Sequence, residues 1–346
     1  MILVNNPGTW AYVYSPLDHA PWHGWTLTDL IFPFFLFIVG VAIPFSFGKH
    51  KTTSKGTLYR RVLRRSALIY LLGLFLSLFP NFDLSRARYV GVLPRIAIVY
   101  LITSILVINL SRRALIWVTA GLLLGYWALM TWIPVPGHGS GVLTPEGNLA
   151  AWIDSLIVPG RMYQGTWDPE GFVSTLPAVA TALLGVVTGF WLRSKREREE
   201  IAKGLFAVGL LGVLAGLVWN QWFPINKNLW TSSYVLFTAG AALVVLAPLY
   251  WIIDVKGYRR WSRPLVAFGV NAISVYVLAG IVARLLINTQ VTSGEETLAL
   301  KRWIYDSFFA PWASPINASL AFALVFLMAM WALVELLYQR RIFIKV

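Results

Sequence analysis

The chain has no cysteine among its 346 residues. Disulfides, thiolate nucleophiles and cysteine-ligated metals are therefore excluded. Charge is scarce as well: Asp, Glu, Lys and Arg make up 13% of the residues, and histidine occurs four times. Apolar residues fill 58% of the chain, with a mean hydropathy of +0.66. A soluble domain has no use for that much apolar surface, so the composition predicts an all-α, polytopic transmembrane helix bundle. A transmembrane barrel is excluded, because it needs alternating strands of roughly ten residues and the apolar runs here are unbroken and longer. The net charge of +14 does not indicate nucleic acid, since the basic residues sit in short loops between apolar runs, where membrane topology puts them.

Apolar runs of roughly 18–25 residues predict nine spans, near 26–47, 61–80, 92–110, 113–133, 172–192, 203–222, 232–253, 265–286 and 316–338. Residues 1–8 read as the last turns of a further, truncated span; no charged region precedes them, so they are not a signal peptide. The basic residues alternate from loop to loop. One set of connections carries Lys49, Lys51, Lys55, Arg60, Arg61, Arg64 and Arg65; Arg112 and Arg113; Arg193, Lys195, Arg196, Arg198 and Lys203; Lys256, Arg259, Arg260 and Arg263; and Arg340, Arg341 and Lys345. The other set carries Arg86, Arg88, Arg161, Lys227, Lys301 and Arg302, while Arg95 and Arg284 lie near helix ends. A split of 21 against six out of 29 makes the first side cytoplasmic by the positive-inside rule. The long connections at 134–171 and 287–315 fall on the opposite side, and their Trp, Pro and Gly content predicts compact caps. With no internal repeat, residues 1–346 read as a single membrane domain.

The opening stretch "PLDHAPWHGW" places His19 and His23 just before the first long apolar run. His19 is either an interfacial histidine beside an aromatic belt of Trp22 and Trp25 or a general base, since imidazole accepts a proton near neutral pH. Asp18 is the neighbouring acid that would orient it. A metal site is disfavoured: Pro21 separates His19 from His23, cysteine is lacking, His50 lies on the other side and His138 is in a distant loop. "TLTD", Thr26–Asp29, matches a capping box. Asp29 is therefore first a helix cap, and with Trp22 it also stands among the substrate-binding candidates.

Asn5 or Asn6 either caps a helix end or donates to a developing oxyanion. Asp168 and Glu170 mark a turn and helix start, or else grip a cationic amine. Arg88 and Arg95 flank another helix start, where an arginine either snorkels or faces a cavity or an anion. Arg60, Arg61, Arg64 and Arg65 are topology signals that equally suit the phosphates of a nucleotide-bearing donor.

Several segments resemble, in order and across nearly the whole chain, the heparan-α-glucosaminide N-acetyltransferase family. They are "LVNN" (3–6), "HAPWHGWTLTDLIFPFFLFIVG" (19–40), "RYVGVLPR" (88–95), "WDPEGFVSTLPAVATALLGVVTG" (167–189), "INKNLWTSSYVLFTAG" (225–240), "DVKG" (254–257) and "NAISVYV" (271–277). The resemblance implies a transmembrane acetyltransferase that takes acetyl-CoA from the cytoplasm and acetylates the amine of an amino sugar, of glucosamine type, on the other side. The family's active histidine falls on His19, as general base or acetyl carrier, and its helix-end asparagine on Asn5. Donor-binding candidates are then Arg95, Arg88, Arg60, Arg64 and Asn271. The implied partners are acetyl-CoA, the acceptor and the lipid bilayer, with no metal and no nucleic acid and with a homodimer left open. Lacking the lumenal N-terminal region of the lysosomal member, the chain is expected to be a compact bacterial version, multi-pass in the inner membrane, with the His19 loop facing the periplasm. The rival reading is an amino-sugar permease, which discontinuous helices and inverted repeats would favour; the sequence displays neither.

Overall fold

A computed structural model describes residues 1–48, 54–293 and 296–343; Lys49, His50, Lys51 and Lys345 lie outside them. The expected all-α bundle is what forms. Its long helices are α1 (Ile31–Gly48), α2 (Lys55–Leu78), α3 (Val92–Asn109), α4 (Arg112–Trp132), α6 (Thr175–Leu192), α7 (Arg198–Trp219), α8 (Ser232–Tyr250) and α12 (Pro315–Gln339), with a short α5 (Leu149–Ile157) between α4 and α6. Between α8 and α12 lie α9 (Arg263–Val270), α10 (Ala272–Asn288), an antiparallel hairpin of β1 (Gln290–Ser293) and β2 (Glu296–Ala299), and α11 (Leu300–Phe308). Side-chain caps fix several starts: Ser54, Ser111 and Asn148 each accept from the backbone N–H three residues on.

Seven helices among the described residues are long and apolar enough to cross a membrane, and eight if α9 and α10 count as one span. This fits a multi-pass membrane protein, with two corrections to the nine expected spans. Five basic residues crowd the first three turns of α2 (Lys55, Arg60, Arg61, Arg64 and Arg65), so only its second half is apolar. The span expected at 265–286 is broken: α9 and α10 meet at Asn271 with a bend of 69°. A discontinuous helix is therefore present, although sequence did not reveal it. The two long connections do fold as caps, one around α5 and the other around the hairpin and α11. Residues 1–5 make a turn closed by Asn5 N–H donating to the Met1 carbonyl.

The core is centred on α6, whose inward face is Ala178, Ala180, Ala182, Leu183, Gly185 and Val186, all buried. Small residues let α1 approach closely, as is usual where helices associate in lipid. A Cβ at Gly40 would collide with the Ala182 carbonyl, and one at Gly185 with the Phe37 carbonyl. Gly40→Val is expected to cost about 1–3 kcal/mol of overpacking, read as a lower unfolding temperature in detergent; an unchanged temperature would contradict this packing. Because α1 holds Asp29 at its head, the same contact anchors the site described next.

The long helices run alternately up and down, so the loops sort to two ends. At one end meet the segments 1–30, 79–91, 133–174, 220–231 and 289–314. The other, basic end carries the arginine-rich turns, tied by Arg198 donating to the Asp254 carbonyl and Tyr59 to Asn109.

Candidate active site

The loop before α1 is folded by its own polar groups. The Thr26 hydroxyl donates to the Asp18 carbonyl at 2.5 Å, and Gly24 N–H donates to the Ile225 carbonyl at 2.8 Å. Gly24 has φ +95°, a conformation that favours glycine. Asp29, 1% exposed, is the loop's internal hub. Its Oδ2 accepts from Ala20 N–H and Thr26 N–H, both at 3.0 Å, which is the acid's half of a capping box. Its Oδ1 lies 2.6 Å from Nδ1 of His19. Tyr234, from α8, donates to the Asp29 carbonyl and fixes the hub to the bundle.

The opposing wall is the turn 225–231. Asn226 accepts from Leu229 N–H at 2.9 Å and donates to His23 Nδ1 at 3.2 Å. This turn presents Lys227, whose Nζ lies 3.0 Å from Nδ1 and 3.3 Å from Nε2 of His19 and 3.5 Å from Asp29 Oδ1. Burial holds the Lys227 ammonium below the ordinary lysine range, opposed by the charges of Asp29 and Glu170. His19 keeps 40% of its side chain exposed beside a carboxylate that has almost none. The ring thus has Nδ1 against the acid and Nε2 beside the Lys227 ammonium, and an imidazole paired with a carboxylate can exchange protons near neutral pH.

A second polar cluster braces the cap. Arg88 donates to both oxygens of Asp168, at 2.7 and 2.5 Å, and to Glu170 at 2.5 Å. Burial pulls against the guanidinium's charge, but the two acids hold Arg88 above the ordinary arginine range. Arg95 is wholly buried below: its Nη2 donates to the Gly171 carbonyl at 2.8 Å and to Ser174, and its guanidinium stacks over Trp230 at 5.2 Å. Asp154, on α5, accepts from Phe172 and Val173 N–H at 3.0 and 3.1 Å. Burial pushes Asp154 up to about 6, against those hydrogen bonds and the charge of Arg95.

A folded-state pKa raised above about 3.9 means that the native state binds the extra proton. Asp154 therefore adds stability below about pH 4 that is lost as pH rises through 6. The shift is worth roughly 2–3 kcal/mol. Unfolding temperatures recorded from pH 4 to 7 are expected to show this downward slope, and Asp154→Asn to remove it.

Three neighbouring cavities share lining residues. One of about 490 Å³ opens at the His19 end, lined by Asn5, Asn6, Arg88, Arg161, Tyr276 and Arg284 among others. It shares Ile2, Val92, Leu93 and Tyr276 with an apolar cavity of about 530 Å³. That cavity shares Phe35, Gly269, Ala272 and Ile273 with a third, of about 340 Å³, where Arg65 stacks over Tyr100. The break at Asn271 borders the last two.

Residues 9–219 match the family described as heparan-α-glucosaminide N-acetyltransferase, catalytic. The chain belongs to the heparan-α-glucosaminide N-acetyltransferase family. It is 31% identical over 337 residues to the Homo sapiens protein named heparan-α-glucosaminide N-acetyltransferase and 30% identical to that of Mus musculus. Each comparison covers 80% of this chain and 50% of the relative, so the chain spans about half the length of these curated relatives.

Within this acetyltransferase family member, the candidate residues sort differently from the reading by sequence. His19 is oriented by Asp29 and not by Asp18, whose Oδ1 instead accepts the His19 backbone N–H at 2.8 Å. Asp29, placed by sequence among the substrate-binding candidates, is 1% exposed, and its carboxylate oxygens meet His19, Ala20 and Thr26. Asp168 gives both carboxylate oxygens and Glu170 gives its Oε2 to Arg88, so the guanidinium that was a donor-binding candidate is already paired with two acids. Arg95 neither snorkels nor lines any of the three cavities. Arg60 and Arg64 are exposed at the basic end, opposite Arg88 and Arg95, so these four cannot hold one nucleotide together. Asn271 sits buried at the helix break, donating to the Ile342 carbonyl at 3.5 Å. Trp22 donates to the Leu143 carbonyl at 2.7 Å and packs on Trp167, joining the cap to the His19 loop. Asn5 is exposed in the wall of the cavity at the His19 end, and His19 itself lines none of the three. Lys227 stood in the sequence only as one of six basic residues on the less basic side; the polar "INKN" before a span was the available signal.

Proposed function

We propose that this chain transfers an acetyl group from acetyl-CoA, entering at the basic end, to the amine of an amino sugar at the His19 end. The observation that carries the proposal is the 2.6 Å contact between His19 and a buried carboxylate, within a chain whose relatives are named as N-acetyltransferases. A sugar amine attacks a thioester only as the neutral base, so a group must take its proton as the C–N bond forms. Asp29 keeps the proton on Nδ1 of His19, leaving Nε2 to accept the one from the amine. When the C–S bond breaks, the imidazolium returns that proton to the departing sulfur.

The adjoining cavities support the direction of transfer. Their apolar middle suits a slender pantetheine arm, and Arg65, Arg60 and Arg64 lie at the end where a nucleotide's phosphates would stay. The acyl end would leave the cavity past Arg88 and Glu170 to reach the ring. Asp154, Arg88 and Trp22 hold the cap over that exit. The basic end is then cytoplasmic and the His19 loop extracytoplasmic, as loop charge implies.

A permease remains as a second reading, because the helix broken at Asn271 borders two neighbouring cavities. Purified protein incubated with labelled acetyl-CoA and glucosamine separates the two. N-acetylglucosamine formation supports the transferase; glucosamine uptake into proteoliposomes without any acetylation supports the permease and ends the first reading. Label retained on the protein when the acceptor is omitted, and lost in His19→Ala, would identify His19 as an acetyl carrier.

A further inference from the structure

We propose that Lys227 is a catalytic residue of this transfer, its ammonium donating the hydrogen bond that stabilises the oxyanion formed at the thioester carbonyl. The proposal rests on His19 being the base and adds a separate group with a separate task.

The transfer needs two services beside the ring. The His19–Asp29 pair can move the proton, but with Nδ1–H given to Asp29 and Nε2 accepting from the amine, neither has a donor left for the thioester oxygen. Negative charge nevertheless develops on the carbonyl oxygen as nitrogen attacks carbon: the C–N bond forms, the C=O π pair moves to oxygen, and the amine proton goes to Nε2. The C=O bond re-forms as C–S breaks, and the sulfur takes the proton from His19. Amine and thioester thus become amide and thiol with atoms and charge balanced.

Lys227 is placed for the missing donation. Its Nζ is 3.3 Å from Nε2 of His19, so a carbonyl attacked beside that nitrogen has its oxygen within the ammonium's reach. An ammonium has three N–H donors. The ring faces one and Asp29 Oδ1 another at 3.5 Å, and no third acceptor contacts Nζ among the described residues. Lys227 is not simply the counter-charge of Asp29. That carboxylate is already held at 2.6 Å by His19 and at 3.0 Å by two backbone N–H groups, all closer than Lys227. A cation kept mostly from water, with 17% of its side chain exposed, acts where charge interactions are strong and is in place before the reaction begins. Asn5, the donor that the family resemblance implies, lines the cavity wall and makes no contact with the ring.

The test uses the full chain in detergent as wild type, Lys227→Met, Lys227→Arg and His19→Ala. Lys227→Met is expected to lower kcat about 10²–10³-fold with the KM for acetyl-CoA changed less than about threefold, and Lys227→Arg to recover about tenfold of that loss. Infrared difference spectra with carbonyl-labelled acetyl-CoA give a readout that a structural role would not move. The bound carbonyl stretch is expected to shift downward in wild type and His19→Ala and to return to its solution position in Lys227→Met. A kcat for Lys227→Met within about threefold of wild type, while His19→Ala is inactive, overturns the role of Lys227 and leaves the base intact. An unshifted carbonyl in the wild type overturns it whether or not Lys227→Met folds. Activity in His19→Ala defeats the base assignment instead, and the carbonyl shift still decides on Lys227.

Discussion

Replacing His19 with alanine is expected to lower acetyl transfer to glucosamine by about 10²–10⁴-fold, the range that a positioned general base supplies. The loss should fall on kcat, because the imidazole takes a proton in the transition state and need not grip either ground-state substrate. Folding should survive: the side chain is 40% exposed and its one buried partner, Asp29, keeps its backbone donors Ala20 and Thr26. Unfolding temperature in detergent, recorded beside the initial rate with labelled acetyl-CoA, separates the two effects. Asp29→Asn is the companion variant. An amide there offers Nδ1 a donor as readily as an acceptor, so the ring can adopt the wrong tautomer, which costs heavily in other acid-oriented imidazoles. If the rate of His19→Ala stays within about twofold of wild type, the base lies elsewhere.

The second large effect concerns stability. Arg88→Met is expected to cost about 3–5 kcal/mol, the usual loss when one partner of a buried ion pair is removed. Two carboxylates depend on that guanidinium, and the Asp168 side chain has no exposure at all while that of Glu170 has 9%. Leaving them unpaired loosens the turn that Asp154 and Arg95 also hold, and with it the cap against which Trp22 packs. Adding Asp168→Asn and Glu170→Gln to Arg88→Met removes the stranded charge and should restore much of the unfolding temperature. Arg88→Met unfolding at the wild-type temperature would show that the three charges are not coupled.

Much of this architecture was legible because bilayer length imposes a coarse rule: apolar runs of about twenty residues must be helices. The class and most helix positions followed directly. The break at Asn271 did not, because residues 264–283 are apolar apart from Asn271, Ser274 and small residues, and one asparagine is a weak signal within such a run. The brevity of the apolar half of α2 was hidden for the opposite reason, since its arginines read equally as a loop or as helix. At the site, the cap at Thr26–Asp29 was legible from local spacing. The partnerships were not. Asp18 is adjacent to His19 in the chain, yet the turn 15–18 gives its carboxylate to the backbone and leaves Asp29 to meet the ring. Lys227 reaches that ring from 208 residues away, and Arg88 reaches Asp168 from 80. Contacts of that range arise from tertiary packing, which spacing along one chain does not encode.

The most direct measurement is a two-compartment assay in proteoliposomes of known orientation, with labelled acetyl-CoA at the basic end and glucosamine at the His19 end. The account predicts N-acetylglucosamine in the acceptor compartment alone, free CoA in the other, and neither with His19→Ala. Product formed when both substrates are confined to the basic end, or vectorial transfer that continues in His19→Ala, would contradict it.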